Sequence, residues 1–224
     1  MFLNLKNFHY NHNNLIYSRN WRIKTLLLIY FTLTLYATEI DQKPIVMDKK
    51  QINISKNRIL DYQITIESYR HLSKKKQLKK VNLYLNQLLP QYDKVIQDKE
   101  DYWATPKEFL TYGFGDCEDY AIIKYFTLLK LGFDEKKLFL TTVRDSFNGG
   151  YHMVLSYFEK EDRAPMILDN LSFKILDLQK RKDLKANLFI NSTGVYKITD
   201  DFKLKETKIK SLNFEELLKR NEEF

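Results

Sequence analysis

The sequence holds a single cysteine, Cys117, among 224 residues. One thiol can form neither an internal disulfide nor a multi-thiolate metal site, so disulfide scaffolds and zinc ribbons are excluded. Only 6 glycines and 4 prolines are present, too few for a collagen-like or low-complexity chain. No repeat with a period of about 20–50 residues occurs, which argues against solenoids and propellers. Acids are missing from the first 38 positions: Lys6, Arg19, Arg22 and Lys24 all precede Glu39. Those four bases account for half of the formal +8 charge, and the chain after residue 37 carries +4, with 33 basic against 29 acidic residues. That is an ordinary basic surface and no nucleic-acid footprint. The run Lys74-Lys75-Lys76 reads as a solvated helix face.

What is present fits one domain behind an export segment. Hydrophobic residues make up 44% of the chain, with 15 Tyr and 15 Phe, enough for a packed core. Residues 26–37, LLLIYFTLTLYA, form an apolar run directly after the bases at 19–24. A bilayer-spanning helix needs about 20 apolar residues. This run has the length of a signal-peptide h-region, with Ala37 as the cleavage point. Leu35 is large for the −3 position and the polar leader is long, so a retained membrane tether is the second reading and a buried core helix the third. Residues 1–37 are therefore expected to be a signal or membrane segment, and 38–224 a domain outside the cytoplasm.

Residues 38–57 read as an extended, polar lead-in. A helix is expected over 57–71. A clearer one covers 75–89, where Leu78, Val81, Leu85 and Leu88 share a face, with Pro90 as the stop. DYWATP at 101–106 reads as a loop. Gly113-Phe114-Gly115-Asp116 forms a turn into a buried helix that runs from Cys117 to Gly132, with Asp116 as its cap. Strands are expected at 138–144, 151–158, 166–169 and 195–198. A capping box of Asn213 and Glu216 opens a closing helix with Phe214, Leu217 and Leu218 as its apolar face. Helices followed by an antiparallel sheet define an α+β domain.

A thiolate, not a thiol, attacks a carbonyl, and free cysteine titrates at about 8.5. Cys117 falls in the first turn of a helix, where unpaired N–H groups favour an anion. After the leader only His71 and His152 remain as imidazoles to pair with it. His71 ends a surface helix among lysines, whereas His152 begins a strand beside Gly149-Gly150. Asp169, ending the next strand, can fix the imidazole tautomer. Each residue also has a plainer role: Cys117 as a small buried hydrophobe, His152 as a core residue, Asp169 with Asn170 as turn chemistry. Asp116, Glu118 and Asp119 crowd the thiol with negative charge, which opposes its ionisation. A bound hard cation such as calcium would remove that conflict; capping of the helix is the simpler account.

These segments resemble the bacterial transglutaminase-like cysteine proteinases, the LapG-type periplasmic adhesin proteases. The resemblance rests on DYWATP at 101–106, GDCEDYAIIKYFTLLKLG at 115–132, HMVL at 152–155, ILDNL at 167–171 and VNLYLNQ at 81–87. It covers roughly residues 75–200 and implies a papain-like, transglutaminase-type core with Cys117, His152 and Asp169 as the triad. It also implies calcium held by Asp116 and Glu118, with Asp119 a weaker candidate. The implied substrate is the N-terminal region of a large repetitive surface adhesin, commonly cut at a paired alanine, whose release promotes biofilm dispersal. The implied partner is an inner-membrane LapD-type receptor that sequesters the protease when it binds cyclic diguanylate. Trp103 reads as cleft lining or as packing. A transglutaminase or amidase acting on cell-wall peptide, and a catalytically silent receptor-binding module, are the rival readings. The Lys-rich stretch from Asp200 carries no implied function.

Overall fold

The computed structural model describes residues 47–90, 102–147 and 149–221; the export segment expected at 1–37 lies outside them. Helix α1, Lys49–Ser68, starts earlier than the sequence suggests, so residues 49–57 are helical and not extended. Asp48 and Gln51 form a reciprocal capping box, with the Asp48 side chain accepting from Gln51 N and the Gln51 side chain accepting from Asp48 N. Among the described residues Ser55, Tyr62 and Ile66 are the ones this helix buries, which is why its apolar periodicity is weak. Helix α2, Lys74–Leu85, buries Leu78, Val81 and Leu85 as expected. It ends at Leu85, and Pro90 instead lies in a two-residue strand, β1, Leu89–Pro90.

Helix α3, Pro106–Tyr112, has no counterpart in the sequence reading. Thr105 caps it, reciprocally with Glu108, and Pro106 occupies the first helical position, where its missing N–H costs nothing. Gly113 closes it at φ +83°. A Cβ there would lie 2.1 Å from the Arg58 guanidinium carbon, and Arg58 Nη1 donates to the carbonyls of Leu110 and Thr111. Strand β2, Phe114–Gly115, pairs in parallel with β1 and leads into helix α4, Cys117–Lys130. Gly132 turns the chain at φ +77° just beyond it.

Strands β3 (Leu138–Asp145), β4 (Tyr151–Tyr157), β5 (Met166–Asp169), β6 (Ser172–Asp177), β7 (Leu184–Asn191), β8 (Gly194–Ile198) and β9 (Leu204–Glu206) form one antiparallel sheet in the order β6-β5-β4-β3-β7-β8-β9. The meander β3–β5 and strand β8 agree with the sequence; β6, β7 and β9 are additions to it. Helix α4 packs on β3, β4 and β5. Ile122, Ile123, Tyr125 and Leu128 meet Leu138, Leu140, Leu155 and Leu168 in the main core. On the other face Phe139, Phe158 and Phe189 stack edge to face, and Val143, Val154 and Ile167 form a further cluster. Both faces of the central strands are thus covered, which explains the near-continuous apolar runs in β3 and β4.

The closing helix α5, Leu212–Asn221, begins at Ser211 and not at Asn213: the Ser211 hydroxyl accepts from Phe214 N. Phe214 and Leu217 are buried, and Phe214 meets Tyr125 edge to face at 5.8 Å. Among the described residues no helix is long and apolar enough to cross a bilayer.

Candidate active site

Gly115 lets the chain enter α4. A Cβ at this position would stand 2.5 Å from Asp119 Oδ2 and 2.9 Å from a Phe109 ring carbon. The backbone therefore passes directly over Asp119, whose other oxygen accepts from Ala104 N at 2.8 Å. Asp119 is only 3% exposed and ties the loop before α3 to the first turn of α4. Asp116 occupies the N-cap position in extended backbone, and its side chain makes no cap hydrogen bond, contrary to the sequence reading.

Cys117 is half-buried at the first helical position. Its thiol donates to Glu118 Oε2 at 3.1 Å. Burial, followed by the charge and hydrogen bond of Glu118, pushes the thiol far above its ordinary range, and Asp116 adds to this. A backbone hydrogen bond from Met153 acts in the opposite direction and places the sulfur against β4, one residue from His152. The charge conflict read from the sequence is real in three dimensions.

His152 and Asp169 meet directly, with Nε2 2.8 Å from Oδ1. Asp169 is fully buried, and its Oδ1 also accepts from Leu171 N at 2.9 Å. Its second oxygen accepts from Arg181 Nη2 at 2.8 Å. Burial opposes its ionisation, but the His152 and Leu171 hydrogen bonds and Arg181 outweigh burial and hold it well below the usual carboxylate range. From behind, Asn86 Nδ2 donates to the Asp169 and Ser172 carbonyls, and Asn82 Nδ2 donates to that of Ser172. The two asparagines of VNLYLNQ thus anchor the β5–β6 hairpin that carries Asp169.

The structure joins His152 to Asp169 by a hydrogen bond and sets Cys117 against the strand of His152. His71 is exposed in the turn after α1. Trp103 is 6% exposed within the main core, a packing role, and its carbonyl accepts from Arg220 Nη2. Asp116 and Glu118 supply hard carboxylate oxygens of the type calcium takes. Among the described residues no three His, Cys, Asp or Glu side chains are grouped to hold a metal. The pair thus fits calcium in donor type and charge and would need carbonyl or water oxygens to complete the shell.

Two residues escaped the sequence reading. Arg181 sits in a Lys- and Asp-rich linker and looks like any solvated base; its partners become visible only in the fold. Arg220, in the Lys-rich tail, donates to Tyr102, Glu108 and the Trp103 carbonyl. No local pattern signals either.

Residues 45–183 match the model of a family described as bacterial transglutaminase-like cysteine proteinase. No curated protein matches the chain. Among solved structures it is similar to calcium-bound LapG of Legionella pneumophila, with 35% identity and a TM-score of 0.67 over 75% of this chain and 91% of that one. It is also similar to EGTA-treated LapG of the same organism, with 33% identity and a TM-score of 0.66 over 80% and 99% of the two chains.

Proposed function

Because the chain belongs to the bacterial transglutaminase-like cysteine proteinases, we propose that it is an endopeptidase using Cys117 as nucleophile, His152 as acid and base, and Asp169 as the group that orients the imidazole. The observation carrying this reading is the His152–Asp169 hydrogen bond at a fully buried carboxylate. It commits Nε2 to Asp169 and leaves Nδ1 to exchange a proton with the thiol. Deprotonated Cys117 attacks the scissile carbonyl, and the imidazolium gives its proton to the leaving amine. Water, deprotonated by the same imidazole, then hydrolyses the thioester. The N–H of Cys117 opens a helix, has no acceptor within it, and would donate to the oxyanion.

Asp116 and Glu118 would hold calcium, in keeping with the calcium-bound and EGTA-treated forms of the similar LapG. Calcium would supply positive charge beside two carboxylates that otherwise disfavour the thiolate. The substrate would be the N-terminal region of a large repetitive surface adhesin, whose cleavage releases it and promotes biofilm dispersal. An inner-membrane LapD-type receptor of cyclic diguanylate would sequester the enzyme. The basic stretch followed by the apolar run at 26–37 supports export to the periplasm.

The test is incubation of the protein with N-terminal adhesin fragments, and separately with peptidoglycan, with products read by mass. Adhesin cleavage that is lost in Cys117→Ala, with unfolding unchanged, is the expected result. Full cleavage by that variant would reject the mechanism. Chelation should lower both activity and melting temperature: at a hundredfold excess of calcium over its Kd, binding stabilises by about 2.7 kcal/mol. If neither changes, Asp116 and Glu118 are not a calcium site.

A further inference from the structure

We propose that Arg181, itself fixed by Asp183, is a positioning residue that locks the Asp169 carboxylate in the orientation His152 requires. This rests on the proposed roles of Cys117, His152 and Asp169.

Three donors define the plane of the Asp169 carboxylate. Oδ1 accepts from His152 Nε2 and Leu171 N, and Oδ2 accepts from Arg181 Nη2 at 2.8 Å. With Oδ2 unpaired, rotation about Cβ–Cγ would exchange the two oxygens, and a carboxylate without solvent exposure would lose its guanidinium partner. Arg181 can hold this position because it is itself held. Its Nε lies 2.9 and 3.0 Å from the two Asp183 oxygens, and its Nη2 lies 2.6 Å from Asp183 Oδ2. This two-nitrogen fork sets the guanidinium plane, a geometry that lysine cannot reproduce. The Arg181 side chain is 10% exposed. Asp183 is anchored in turn, since its carbonyl accepts from Ser146 N in the turn that leads to the strand of His152.

Asp183 alone balances the charge of Arg181, so an ion pair serving stability would be complete without Asp169. The remaining edge of Nη2 is aimed at Asp169, and Nη1 donates to no group among the described residues. The side chain is placed for one acceptor at the site.

The experiment uses the full chain carrying Arg181→Met or Asp183→Asn. With a cleavable peptide, Arg181→Met should lower kcat by about 10–100-fold, the usual loss when a group supporting a catalytic residue is removed, with KM within about twofold. Added methylguanidine should restore part of the rate. Asp183→Asn, which frees the fork but keeps Arg181, should lower kcat less. In a Cys117→Ala background, the imidazole nitrogen resonances of His152 should show the proton on Nε2 in the parent and a tautomer mixture once Arg181 is replaced.

An unchanged kcat and an unchanged tautomer in a folded Arg181→Met protein would overturn the proposal. If that variant does not fold, the same null result in Asp183→Asn would overturn it. Absence of cleavage by the parent would defeat the protease reading alone, because the tautomer measurement still decides the role of Arg181.

Discussion

Cys117 donates a hydrogen bond to the Glu118 carboxylate next to it, and this contact adds to burial in holding the sulfur as a thiol. Replacing Glu118 by Gln removes a charge that raises the thiol, so the thiol should ionise at lower pH. The rate of iodoacetamide alkylation in calcium-free buffer, followed against pH, should therefore rise at a lower pH in Glu118→Gln than in the parent. An unshifted profile would mean that burial alone controls the sulfur. Gly115 allows a sharper structural check. Its missing Cβ would collide with Asp119 and Phe109, so Gly115→Ala must displace either the buried carboxylate or the backbone before Cys117. Overpacking of this kind costs about 1–3 kcal/mol. The variant should melt earlier and also lose activity.

Helix α4 carries the proposed nucleophile at its first turn and an anomaly at its third. Lys124 is wholly buried, and its ammonium donates no hydrogen bond among the described residues. Burial pushes it down to about 7, although the Asp169 carboxylate pulls the other way. Between that value and its ordinary 10.5 the unfolded chain binds the extra proton, so this residue makes stability rise with pH across that window. Below about 7 the folded protein bears the full cost of the buried charge. Lys124→Met should therefore raise the melting temperature more at pH 6 than at pH 10. An equal gain at both would show that packing, not charge, is responsible.

At this same scale the sequence was legible where burial leaves a period. The faces of α2 and α4, the strands β3, β4, β5 and β8, and the pairing of His152 with Asp169 are legible. Helix α1 starts before its apolar pattern does because its first turns bury little, and α3 escapes notice because seven residues carry too few apolar positions. Strand β6 buries no residue fully and β7 only its last three, so neither leaves a sustained apolar pattern. Lys124 reads as one polar break in an apolar helix; its burial is a property of the sheet packed upon it.

Over the whole molecule, the family match ends at residue 183, yet β7 pairs with β3 at the centre of the sheet and α5 closes the core. Arg220 in α5 lies 2.9 Å from Glu108, 2.6 Å from the Tyr102 hydroxyl and 4.7 Å from the centre of the Tyr102 ring. It thereby holds the loop that Asp119 also holds through Ala104 N. A half-exposed charged hydrogen bond of this kind contributes about 1–3 kcal/mol. Arg220→Ala should lower stability by that order in chemical denaturation and increase amide exchange at Ala104. Unchanged exchange there would show that Asp119 fixes the loop unaided.

The grip of Arg220 on Trp103 joins residues 117 positions apart in the chain. Synthesis is directional, so the clasp on the loop before α3 cannot close until α5 has been made. A half-emerged chain would carry the thiol, the imidazole and the acid without this fastening. The loop before α3 would gain this fastening only once α5 has followed it out, 117 positions later.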